Sequence, residues 1–379
     1  MYGIDDYGRM IADTVRTGAY AEALRSVVRP DSVVVDLGTG PGIFALLACA
    51  YGARRVYAIE SDPIIDVAKR MAADNGFAGR IEFVEDVSTR VNLPERADVI
   101  VSDLPACSHI DVILDARRRF LAPGGTMIPQ RDMLWAVLVE APEAYDRVVG
   151  PWCAGMLGMD MRAALSLATE RVENAWITSD QMLVEPRRLA ALDYQTADDL
   201  RVSALFDWTV QRAGTAHGIS IWFEVTMTGG IGFSNAPGST ATSFLNRNLF
   251  LPLKQPILVR AGDRLDVHVS AGRAGASHFW RWKTSGTINE ADGCRRVDYT
   301  QCSLLSTPVA SSDLRKREAD HLPDLNDDAE ADYLALDLMR KHLTLGEIAR
   351  RIAEAMPERF PSWLEALGHV GTLSVKYSR

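Results

Sequence analysis

Two groups of residues in this chain have the types and spacing that chemistry needs. The first runs from Asp36 through Gly38, Thr39, Gly40 and Gly42 to Glu60. Glycines so placed let a backbone come close to a ligand that a Cβ would hold away. A carboxylate at position 60 can accept from both hydroxyls of a ribose, so the pair points to a nucleoside. A dinucleotide fingerprint would need a third glycine at position 43, and Ile43 stands there instead. The second group is Asp103, Ser108, His109 and Asp111. It offers a general base for an amine, hydroxyl or carboxylate acceptor, with His109 able to take a proton near neutral pH. The five cysteines, at 49, 107, 153, 294 and 302, are scattered without a C-x-x-C pair. That pattern reads as reduced thiols and gives no metal site. Cys107 lies near the second group, but no flanking base lowers its pKa.

Both groups need elements to hold them. The apolar run Val33–Val35 leads into the glycines, Ile43–Ala50 has helical character, and Val56–Ile59 closes on Glu60, which reads as a βαβ unit. Helices are expected before it, over 1–29, and after it, over 64–75. Further strands are expected at 81–84 and 97–103, then a helix over 110–120 that stops at Leu121-Ala122-Pro123-Gly124-Gly125. In a doubly wound sheet ligands lie beyond the carboxyl ends of the strands, which places Asp103 at the site.

From about residue 140 short alternating segments suggest a β-rich domain. Its expected strands cover 182–185, 200–211, 219–228, 249–253 and 264–270, with a helical stretch over 162–174. Phe279-Trp280-Arg281-Trp282-Lys283 alternates aromatic and basic residues, as a strand with an apolar inside and a wet outside would. Residues 309–332 are charged and poor in large apolar groups, hence a linker. Helices over 333–343, 345–356 and 362–369 with a short strand at 373–375 suggest a small winged-helix-like module.

The chain has 379 residues, 47% hydrophobic and 24% charged, with a net charge of −9. That length fits two or three domains, and that charge argues against a nucleic-acid binder. No apolar run is long enough to span a membrane, and the N-terminus carries early acidic residues, so a cytoplasmic protein is expected.

The pattern D-x-G-x-G-x-G over Asp36–Gly42 resembles motif I of the class I S-adenosylmethionine (SAM) methyltransferases. That resemblance implies SAM as cofactor, held by Asp36, Gly38, Thr39, Gly40, Gly42 and Glu60, with Ser61, Asp86, Val87 and Ser102 beside them. The run YGRMIADTVRTGAYAEAL at 7–24 is similar to the N-terminal segment of the protein arginine methyltransferases, whose arginine pairs with the cofactor carboxylate; Arg16 matches it. The stretch over 102–135 and the landmarks Gly158–Met161, Trp222–Val225 and Gly232–Ser234 extend the likeness to residue 285 or so. It implies a Rossmann-like α/β domain over 1–139 and a β-barrel domain over 140–308. The 162–174 segment would then be an arm for homodimer formation.

The likeness breaks at the acceptor. The family clamps a guanidinium between two glutamates, whereas here Asp103 replaces the first and no glutamate occurs between 96 and 139. Ser243-Phe244-Leu245 stands where the family has Thr-His-Trp. One aspartate offers half of what five fixed donors require. The expected reaction is therefore methyl transfer to nitrogen or oxygen of a small metabolite or peptide, with Asp103, His109 and Asp111 on the acceptor side. Alternatives are arginine N-methylation, or a non-catalytic SAM- or peptide-binding scaffold.

Overall fold

A computed structural model describes residues 3–104, 106–155, 157–198, 200–239, 247–275, 277–290 and 293–378, without the side chains of 106–108 and 289–290. It divides the chain into two units, Met1–Pro308 and Val309–Arg379.

Two helices, α1 (Ile4–Ala12) and α2 (Thr14–Val27), lead the first unit. The Asp13 carboxylate caps α2 by accepting from the Arg16 N–H at 3.1 Å. There follow β1 (Val33–Leu37), α3 (Ile43–Ala50), β2 (Arg55–Ile59), α4 (Ile65–Asp74), β3 (Ile81–Val84), β4 (Ala97–Ser102), α5 (Ala106–Phe120) and β5 (Leu121–Ile128). The strands form a parallel sheet in the order β3-β2-β1-β4-β5. β1 is buried at every position, which is why its sequence is nearly all apolar rather than alternating, with Asp36 the one polar residue.

The chain then enters the barrel-like domain at β6 (Arg131–Val139), followed by α6 (Pro142–Cys153), α7 (Leu165–Ala168), β7 (Glu173–Ala175), β8 (Arg187–Asp193), β9 (Val202–Thr209), β10 (Gly214–Thr226), β11 (Gly232–Ser234), β12 (Asn248–Val259), β13 (Arg264–Ala274), β14 (Ser277–Glu290) and β15 (Gly293–Cys302). One sheet has the order β7-β12-β10-β6-β8, with β11 on β10, and the other β15-β14-β13-β9. Trp282 is fully buried between them and donates Nε1–H to the Pro252 carbonyl at 3.0 Å. Arg281 and Lys283 face solvent.

Several expectations need correction. The 162–174 segment holds a 3₁₀ turn and the single α-turn of α7, then becomes strand β7. α6 was not anticipated; its buried Ala144, Tyr145, Val148 and Val149 recur at helical spacing behind a proline at its first position. The strand expected at 182–185 is a single bridge from Met182 to Val139, and the continuous strand is β8. Ser243-Phe244-Leu245 lies outside the described residues.

In the second unit, α8 (Ser311–Arg315) precedes α9 (Asp327–Met339), α10 (Leu345–Ala355) and α11 (Trp363–Tyr377). α9 begins six residues before position 333, capped by the Asn326 side chain on the Ala329 N–H at 2.9 Å. The segment 373–375 is helical: Ala366, Val370 and Leu373 are buried with helical period, so the unit is three packed helices without a wing among the described residues.

Candidate active site

The turn after β1 is shaped by its glycines. Gly38, Gly40 and Gly42 have φ of 73°, 54° and 89°, a region that side chains resist. A Cβ on Gly40 would stand 3.0 Å from the Tyr7 ring, so α1 lies against the turn. Glu60, just past β2, accepts at Oε2 from the Gly40 N–H at 3.0 Å. Its Oε1 accepts from the N–H groups of Ser61 at 2.8 Å and Asp62 at 2.9 Å. A carboxylate has about four acceptor sites, so capacity for another donor remains.

Asp36 and Thr39, expected beside the ligand, lie beneath the turn instead. Asp36 Oδ2 accepts from the Thr39 hydroxyl at 2.5 Å and from the Ala45 N–H in the first turn of α3 at 2.8 Å. Both residues are buried. Burial pushes the Asp36 carboxyl up to about 7, against the pull of those two hydrogen bonds. Asp36 thus fixes the turn to the helix.

Arg16 and Asp103 are 87 positions apart and meet. Arg16 Nε donates to Asp103 Oδ1 at 3.1 Å, its Nη2 pairs with Oδ2, and its Nη1 donates to the Met10 carbonyl at 3.0 Å. The Arg16 side chain is 5% exposed and that of Asp103 23%. Removing one member of such a sheltered pair costs about 3–5 kcal/mol. Nearby, the Tyr20 hydroxyl donates to the Ser102 carbonyl at 3.1 Å, and the Ser102 hydroxyl to the Leu37 carbonyl at 3.3 Å.

These groups open onto a cavity of about 440 Å³ between the parallel sheet and the barrel-like domain. Met10, Arg16, Tyr20, Asp103 and Leu104 line it from one side. From the other come one face of β6, β10, β12 and β7, whose members are neighbours in register: Asp132 opposite Val225, Leu134 opposite Phe223, Ile221 opposite Leu249, Leu249 opposite Asn174. Phe233, Arg247, His278 and Trp280 complete the wall.

Of the three expected acceptor-side residues, only Asp103 lines this cavity. α5 breaks its helical path at His109 (φ −130°, ψ 17°), whose ring lies 6.1 Å from that of His278. Asp111 is exposed. Asp86 accepts from the Val87 N–H at 2.7 Å and Arg90 Nε at 2.9 Å, chiefly the arginine holding its carboxyl below the usual range. Val87 and Ser61 are exposed.

The sequence reading missed Asp132, Tyr194 and His278. The Tyr194 hydroxyl donates to Asp132 Oδ2 at 2.7 Å, while Oδ1 is sealed from solvent without a hydrogen-bond partner among the described residues. Burial pushes this carboxyl up to about 6, with the Tyr194 hydrogen bond pulling the other way. One signal was available: an aspartate in phase with Leu134, Ala136 and Leu138 on an apolar strand face.

Comparison with known proteins agrees with this geometry. Residues 16–130 match the profile of Ribosomal protein L11 methyltransferase (PrmA), and 130–278 that of the arginine methyltransferase oligomerization subdomain. Protein arginine N-methyltransferase 6 of Danio rerio is 32% identical over 234 residues, 57% of this chain and 67% of that one. Probable protein arginine N-methyltransferase 1.2 of Arabidopsis thaliana is 29% identical over 66% of this chain and 71% of the relative. Among solved structures, the Trypanosoma brucei PRMT1 enzyme-prozyme complex with AdoHcy superimposes with a TM-score of 0.70 at 22% identity, covering 80% of this chain and 98% of that one. Arabidopsis thaliana protein arginine methyltransferase 10 gives 0.66 at 22% identity, over 79% and 97%. At such identity these two likenesses concern the fold. With sequence matches running from the glycine turn through the barrel strands, the chain belongs to the protein arginine methyltransferase family of class I, SAM-dependent enzymes.

Proposed function

We propose that this SAM-dependent methyltransferase acts on the guanidinium of an arginine in a protein or peptide. The observation that carries the reading is Asp103, held by Arg16 at the end of β4 where it lines the cavity. An anion fixed there suits a cationic, planar acceptor, and the curated relatives are named for arginine.

The turn fits the nucleoside end of SAM. The Gly38–Gly42 backbone admits it, Glu60 has acceptor capacity left for a ribose hydroxyl, and Arg16 presents a fork of donors able to join Asp103 and the cofactor's carboxylate. Bound SAM supplies a sulfonium methyl: the carbon–sulfur bond breaks with its electron pair left on sulfur, a nitrogen–carbon bond forms, and that nitrogen gives up a proton. Asp103 orients the nitrogen and offers an oxygen to that proton. Met10, Tyr20, Leu104 and Phe233 line the cavity beside it and keep water from the acceptor.

The test is incubation with SAM and an arginine-containing peptide, following the gain of methyl mass, with the lysine-for-arginine peptide as control. Methylation of the first peptide alone is expected. A protein that binds S-adenosylhomocysteine yet methylates no arginine peptide would falsify the reading. A small amine acceptor is the second reading, favoured by the lack of any glutamate between 96 and 139; free amines in the same assay would reveal it.

A further inference from the structure

We propose that Asp132 is the second carboxylate of the acceptor site, holding the guanidinium from the barrel side while Asp103 holds it from the parallel-sheet side. This rests on the guanidinium reading above and names the group that completes it.

A guanidinium carries five donors in one plane, so a single aspartate leaves donors and most of the charge unmatched. No glutamate between 96 and 139 supplies the missing anion. Asp132 lines the same cavity as Asp103, on a sheet face otherwise formed by Leu134, Ile221, Phe223, Val225 and Leu249, with Asn174 at its edge. An acidic group on such a face is costly unless something pairs with it. Tyr194 satisfies one oxygen and fixes the plane of the carboxyl; the other oxygen has no partner among the described residues. The cation-bearing side chains of the cavity wall are Arg16, which Asp103 engages, and Arg247. No neighbouring cation holds the Asp132 carboxyl down, and burial raises it instead. Tyr20, between the two ends of the site, has its phenol pushed up by burial and, to a lesser degree, by Asp132 and Asp36, against the pull of Arg16. A carboxyl with one oxygen unpaired, on the wall of a cavity roomy enough for an arginine side chain, is complementary to a cation.

Protonation gives the arrangement a pH signature. The Asp132 carboxyl, raised to about 6, must be ionised to take a cation. kcat/KM for an arginine peptide should therefore fall as pH drops below about 6. The charged or titratable groups facing Asp132 are Tyr194, Tyr20, Arg16, Asp103, Arg247 and His278. Among them, His278 has its pKa lowered, first by burial and then by His109 and Arg273. His278→Gln should keep the acid limb if Asp132 causes it.

The deciding experiment compares the parent, Asp132→Asn and Tyr194→Phe, each with an arginine peptide and, by calorimetry, with S-adenosylhomocysteine. Asp132→Asn should raise KM about 30-fold or more, as loss of one buried charge partner does, and lose the acid limb. Its nucleoside affinity should stay within about twofold of the parent, since the glycine turn is built without it. Tyr194→Phe keeps the carboxylate but frees it to turn, and should raise KM a few-fold with kcat less affected. An active parent whose Asp132→Asn and Tyr194→Phe variants keep its KM overturns this assignment alone. A parent that binds S-adenosylhomocysteine but leaves arginine peptides unmethylated overturns the guanidinium reading and this assignment with it.

Discussion

The two ends of the cleft are constructed differently. At the nucleoside end, Gly38–Gly42 and Glu60 lie within one βαβ unit, and the hydrogen bonds that shape them run to backbone N–H groups. At the proposed acceptor end, Arg16, Asp103, Asp132, Tyr194 and His278 come from α2, the end of β4, β6, the residue after β8, and β14. There the polar groups are side chains brought together from separate elements. A backbone-built site tolerates little change in the turn that forms it. A side-chain-built site can keep its charge while changing which element supplies it.

That contrast can be broken by experiment. Asp103→Asn should lower turnover of an arginine peptide by about 10²–10³-fold while S-adenosylhomocysteine affinity, measured by calorimetry, holds. Loss of both together would mean the two ends are not separable. Glu60→Gln should do the reverse, weakening S-adenosylhomocysteine by about 10–100-fold, the worth of a charge-assisted hydrogen bond. Unchanged affinity would remove Glu60 from the nucleoside end. Gly40→Ala asks an L-residue to adopt φ 54° with its Cβ against Tyr7. A loss of about 5–30-fold in the same affinity is expected, and none at all would show the turn to be more forgiving than its geometry.

The smallest effect concerns stability. The Asp36 carboxyl rises from 3.8 to about 7 on burial, so between those values the folded chain binds more protons than the unfolded one. Its contribution is therefore present at low pH and lost as pH rises through about 7. Asp36→Asn should flatten the fall in Tm between pH 5 and 8 by a few degrees. An unaltered slope would show that Asp36 does not set it.

The same contrast explains what the sequence could reveal. The glycine turn was legible because conformation there depends on consecutive residues: glycine suits φ 54° best, and Glu60 follows the adjacent strand directly. Asp103 was legible from its place after a parallel strand. His109 and Asp111, chosen for being near Asp103 in sequence, do not line the cavity themselves, although the His109 ring lies 6.1 Å from that of His278, which does. Asp132 was not legible because it stands on a barrel strand that nothing local in the sequence links to β4. Asp36 carried the right motif but the wrong role: its partners, Thr39 and Ala45, show it bracing the turn from below. The winged-helix expectation failed at 373–375 because three residues of mixed polarity fit either a strand or one turn of helix, and packing against Ala366 and Val370 decided for helix.

Asp132 reaches the cavity because strands alternate: in β6, residues 132, 134 and 136 share one side and Arg131, Met133 and Trp135 the other. Inserting one residue into the short segment before β6, so that every β6 residue moves one place along the strand, would exchange those sides and bring the Arg131 guanidinium to the wall where the Asp132 carboxyl now stands. The cavity's polarity thus depends on odd–even counting along a single strand. An insertion there would change the charge on that wall without any substitution among the residues that line it.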